Sequence, residues 1–180
     1  MTTTDWIIDL GLIGIVFLQI RGHRLSLRLL LLPVALSAWA AIEYLKAIPT
    51  AGNDLALVAL GLGLGITLGA LAGAFTKVTR SPDGDPYSKA GVLAAILWVA
   101  GVGSRLAFQL YATHGGGPSI ERFSSSHSIT SVEAWVAALV LMAIGEAVTR
   151  TAVVALRGYK VAPEHFLRQS AMIGSGDRAY

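Results

Sequence analysis

Apolar residues run through this chain in long blocks with few charges, separated by short polar segments. The clearest block, residues 55–75, reads LALVALGLGLGITLGALAGAF, without a formal charge. As a helix it would be about 31 Å long at 1.5 Å per residue, the thickness of a bilayer's hydrocarbon core. Gly61, Gly65, Gly69 and Gly73 recur at every fourth position of it. Glycines four apart share one slanted face, and the missing side chains let a second helix backbone approach closely. In a soluble helix each would cost roughly 1 kcal/mol against alanine, so helix packing selected them. Similar blocks at 4–20, 29–47, 90–111 and 131–156 predict an all-α membrane protein. It is a bundle of five transmembrane helices over residues 1–157 with a polar tail at 158–180.

The connecting segments carry their own signals. Residues 48–54 form a turn rich in helix breakers. After residue 75 the chain reads TKVTRSPDGDPYSK, where alternating positions followed by Pro82-Asp83-Gly84 predict a short β-hairpin, Asp-Gly supplying the positive φ of its turn. Residues 112–128 are glycine- and serine-rich and read as a flexible loop. Thr130 or Ser131 is placed to cap the fifth helix. The N-terminal block is preceded by acidic rather than basic residues, the reverse of a signal peptide, and reads as a retained helix.

Composition agrees: 54% of the residues are hydrophobic and 14% charged, against roughly 25% charged in soluble domains. The net charge of +3 does not indicate nucleic acid, because the basic residues alternate with apolar blocks instead of gathering on one face. They report topology instead. Lys and Arg cluster after the first block, after the third, and from Arg150 onward, while the opposite side holds only Lys46 and Arg122. The positive-inside rule then places the N-terminus outside and the C-terminus in the cytoplasm. Cysteine is absent, so the chain has no thiol chemistry of its own.

Charges inside the blocks are the candidate chemistry. An arginine within a span costs at least ~2.5–3.5 kcal/mol on insertion scales, so Arg105 pairs, snorkels to the headgroups or lines an aqueous site. Counting from the helix ends puts Glu43 at similar depth, with Asp9 and Glu133 as competing partners. Gly101 shares Arg105's face and would leave room for a carboxylate. Glu146 precedes Arg150 by four residues, the favourable order for an intrahelical pair. Small residues at Ala134/Ala138 and Ala143/Ala147 could receive the glycine stripe within the chain. Alternatively, the stripe could face a second copy in a homodimer.

Other motifs are weak. His114-Gly115-Gly116-Gly117 is like an esterase oxyanion loop, but no G-x-S-x-G accompanies it. His114 and His127 are candidates for a metal or haem iron only if the ends of the fourth and fifth helices meet, and no cofactor is predicted. His23, among arginines, reads as part of a basic loop near anionic lipid. No nucleotide-binding motif is present.

Arg21-Gly22-His23-Arg24 before a leucine run and Pro33, the glycine-rich third block, Asp83-Gly84, Gly91, Trp98 and the embedded Arg105 occur here in that order. Over residues 12–111 this combination resembles the CcdC-like small bacterial integral membrane proteins, whose name is associated with cytochrome c biogenesis. The resemblance implies a multi-pass helical protein of unestablished activity. The expected role is a non-catalytic scaffold or accessory component, with the bilayer and a membrane protein as partners. The alternatives are a carrier of a small ligand, ion or haem, and an intramembrane enzyme with Glu43 as acid.

Overall fold

The computed structural model describes residues 23–24, 49–81 and 86–164, together with residues 32, 34–35, 38–39 and 41–42. The predicted first span, Asp9, Glu43, the hairpin's turn and the tail beyond residue 164 lie outside the described residues, whereas those described within 29–47 and before Pro49 are helical. The elements in chain order are β1 (His23–Arg24), α1 (Asp54–Phe75), β2 (Thr76–Arg80), β3 (Pro86–Ala90), α2 (Val92–Tyr111), α3 (Gly117–Ser126) and α4 (Val132–Val161). A π-type turn with a kink at His114 and Gly115 joins α2 to α3. The protein is mostly helical, and three helical segments, beginning at Asp54, Val92 and Val132, are long and apolar enough to cross a membrane.

The principal contact is between α1 and α4. A Cβ added at Gly61, Gly65 or Gly69 would collide with the backbone of Ala138, Met142 or Glu146 respectively, and one at Gly73 would strike Val153. The first three contacts keep a constant offset as both numbers rise, so the two helices run parallel and in register. The glycine stripe is thus filled within the chain by α4. On the facing helix the small residues that matter are Ala134, Ala137, Ala138 and Gly145. Ala143 and Ala147, expected as a second receiving pair, are only half-buried.

Parallel helices place like dipole ends side by side, and each end of this pair carries a compensating charge. At the start of α1, buried Asp54 accepts hydrogen bonds from Thr130 N (2.7 Å), Thr130 Oγ1 (2.7 Å) and Ser131 Oγ (3.0 Å). Its carboxylate therefore sits at the N-terminus of α4 as well as its own. Ser131 is the N-cap of α4, accepting from Ala134 N. At the other end, Arg157 Nη1 donates to the carbonyls of Gly73 (3.0 Å), Ala74 and Thr76 (2.7 Å), at the C-terminal end of α1.

The hairpin forms as expected, with Thr76 opposite Ala90 and Lys77 opposite Lys89. Two expectations need correction. His23–Arg24 is not simply a basic loop: its backbone pairs antiparallel with Ser88 and Tyr87, giving a three-stranded sheet in the order β1-β3-β2. Nor is the segment after Tyr111 a flexible loop. Pro118 occupies the first turn of α3, where its missing N–H is harmless, and Phe123 packs its ring 5.9 Å from that of Trp135. The fifth predicted helix also continues past residue 156, to Val161.

Candidate functional site: a charge cluster between helices

Arg105 lies thirteen residues into α2, and its Nη1 donates to Glu146 Oε2 on α4 at 2.9 Å. The Arg105 side chain is 20% exposed and that of Glu146 3%. The pair exists because α1, α2 and α4 each leave room for it. Gly69 of α1 lies against the Glu146 backbone, bringing α4 close, and Gly101 of α2 lies against its carboxylate, where any Cβ would collide with both oxygens. Gly101 therefore does admit a carboxylate, as its position on Arg105's face suggested.

Among the described residues the partner is Glu146, and the expected competitor Glu133 is not part of the pair. Glu133 is exposed in the first turn of α4, about 20 Å along the helix from Glu146, and Glu43 and Asp9 lie outside the described residues. Depth arithmetic on Cα positions fails here for a geometric reason. Side chains lean toward the N-terminus of their own helix, and α2 and α4 run in opposite directions. Arg105 and Glu146 therefore lean toward each other across a difference in level. Sequence order also concealed Glu146, because Arg150 one turn later supplied a ready intrahelical partner. In the structure, Arg150 contributes charge close by, but the hydrogen bond belongs to Arg105.

The cluster is incompletely satisfied among the described residues. Glu146 Oε1 and Arg150 Nε are buried and have no hydrogen-bond partner there. Among the described residues the cluster holds two cations, Arg105 and Arg150, and one anion, Glu146. A buried pair that loses one member strands the other, typically at a cost of about 3–5 kcal/mol. The group can therefore hold helices in register, or receive a ligand that offers an acceptor to Arg150 and a donor to Glu146.

The other predicted site residues are placed differently. His114 Nδ1 lies 3.0 Å from Leu110 O and 3.1 Å from Thr113 Oγ1, and His127 Nδ1 lies 2.9 Å from both Phe123 O and Ser126 Oγ. His127 also stacks on Phe123, with ring centroids 4.0 Å apart. Each ring is thus tied to its own helix end, and among the described residues no group of three His, Cys, Asp or Glu could hold a metal. Phe108 of α2 stacks on Trp135 of α4 at 5.0 Å, a second tie between the helices that carry the ion pair. Asp54 and Arg157 were missed as structural residues. Asp54 read as part of a turn and Arg157 as one more cytoplasmic charge, although an acid at a helix start and a base near a helix end were legible signals.

These features define a helical membrane protein with a charged cluster between its spans. No protein-family model, curated protein or solved structure matches the chain.

Proposed function

We propose that this chain is a non-catalytic component of a bacterial inner membrane. On this reading it has five spans, its N-terminus outside and C-terminus in the cytoplasm, and serves as a scaffold or accessory subunit. The observation that carries the reading is the α1–α4 pair, backbone against backbone at Gly61, Gly65 and Gly69 and clamped by Asp54 and Arg157 at opposite ends. Such a pair is a rigid strut. Apolar side chains outside it, including Leu60, Leu64, Ile96 and Val99, are exposed and available to lipid or to a membrane partner. The basic sheet end supports the orientation through the positive-inside rule. The resemblance of the ordered motifs to CcdC-like proteins is in keeping with the same reading.

A second reading, a carrier or binder of a small ligand, ion or haem, is favoured by the buried Glu146 Oε1 and Arg150 Nε, which lack hydrogen-bond partners among the described residues. Native mass spectrometry in mild detergent, with an absorbance spectrum of the same sample, separates the two. Assembly with a protein partner and no bound small mass supports the scaffold. A stoichiometric small-molecule adduct or haem-like band that disappears in Arg105→Ala overturns it in favour of the binder.

A further inference from the structure

The sheet has two unlike faces. Thr76, Ser88 and Ala90, which alternate onto one face, are buried, and both β2 and β3 pack against α4. Relative to α1, α4 projects about nine residues further, some 14 Å, and supplies the surface they lean on. The opposite face presents Lys77, Thr79, Tyr87 and Lys89. Lys77 and Lys89 are direct cross-strand partners, both exposed. Like charges in that register lie about 5 Å apart at Cβ and destabilise a sheet. Among the described residues neither lysine has a carboxylate partner.

Their position along the chain supplies a reason for tolerating the repulsion. Lys77 follows the last residue of α1 by two positions, and Lys89 precedes the first of α2 by three. At about 3.3 Å per extended residue the Cα atoms of both lysines stand within roughly 10 Å of the apolar helix ends. The headgroup layer beyond the hydrocarbon is about 5–7 Å thick on each side, within reach of a lysine side chain. Two forced-together cations at this level form a cradle for one phosphate shared between them. We infer that Lys77 and Lys89 bind the phosphate of an anionic phospholipid, so that the sheet docks on the membrane surface through its exposed face.

This inference rests on membrane insertion but not on the scaffold role. The full-length protein is placed in nanodiscs of phosphatidylcholine with and without phosphatidylglycerol. Retained lipid is then counted by native mass spectrometry, and Tm is measured in each composition. Wild type should retain phosphatidylglycerol and gain Tm with it. Lys77→Gln/Lys89→Gln should retain about 30-fold less, roughly fivefold for each charge removed, with Tm in phosphatidylcholine unchanged or higher. Lys77→Glu turns the repulsion into an ion pair, so Tm in phosphatidylcholine should rise while the response to phosphatidylglycerol disappears. Lys160→Gln, an exposed charge on α4 at the same end, should leave retention unchanged. Equal loss in Lys160→Gln and the double variant would mean diffuse attraction and overturn the site. So would a fall in Tm for Lys77→Glu in phosphatidylcholine, or the same Tm gain from inorganic phosphate alone. Failure to enter nanodiscs of either composition would reject membrane insertion itself, and the inference with it.

Discussion

Helix α4 makes two interfaces by opposite means, and Glu146 belongs to both. Toward α1, the contact is made by omission: glycine at every fourth position lets the α4 backbone, including that of Glu146, lie directly on α1. Toward α2, the contact is made by charge, through the Glu146 side chain and Arg105, with the Phe108–Trp135 stack beside it. The difference follows from the solvent. Lipid tails are as apolar as leucine, so apolar burial does little to drive helices together within a membrane. Either dispersion from very close approach or a polar contact must do it. The close contact is continuous and tolerates no added atom, whereas the polar contact is local and depends on one partner remaining charged.

Substitutions can separate the two interfaces. Gly65→Leu should have the largest effect, above about 4 kcal/mol, because its side chain meets the Met142 backbone and neither helix can yield without breaking register. Reversible unfolding in mixed micelles reads it. Glu146→Gln comes next at about 3 kcal/mol, since it leaves Arg105 and Arg150 without their shared carboxylate. Combined with Arg105→Met in a double-mutant cycle, it should cost clearly less than the sum of the single variants; additivity would show that the ion pair carries no coupling. Gly101→Ala tests the same pair indirectly and should cost about 1–3 kcal/mol by displacing the carboxylate from Arg105. Gly103→Ala, with open space around it, serves as the control.

Smaller effects belong to the ends and the open face. Arg157→Gln should cost about 1–2 kcal/mol, with faster hydrogen exchange confined to the last turn of α1, because its three carbonyl acceptors lose a cationic donor. Gly63 lies on α1 between two stripe glycines, yet among the described residues nothing stands within 4 Å of its absent Cβ. Gly63→Ala should therefore stabilise by up to about 1 kcal/mol through helix propensity alone. A loss of stability at Gly63 would place another helix on that face.

Much of the architecture was legible because membrane constraints act on local sequence. A span must be apolar over a fixed length, so the helices later observed from Asp54, Val92 and Val132 could be placed to within a few residues at most ends. The hairpin followed from alternation and its Asp-Gly pair. The third strand could not be read in this way, since two residues between arginines carry no periodicity and β3 recruits them from far away in sequence. Helix α3 was obscured by composition: its glycines and serines suggest a loop, but Pro118 starts the helix and Phe123 gives it a ring to pack against Trp135.

The candidate site divides along the same line. Arg105 is conspicuous in any reading, as charge in a span is costly, and Gly101 one turn away marked the face from which a carboxylate would come. The identity of that carboxylate depended on the parallel register of α1 and α4 and on the opposed lean of side chains on α2 and α4. Several acidic residues were chemically equivalent as partners, and sequence distance does not distinguish among them. By itself the chain determined which segments are long apolar helices and which faces need a neighbour, because length, apolarity and missing side chains act locally. Only the tertiary structure decided which neighbour came: α4 on the glycine stripe, Glu146 on Arg105 and β1 on β3. Each of those choices depends on shape matching between segments distant in the chain, and no local pattern records it.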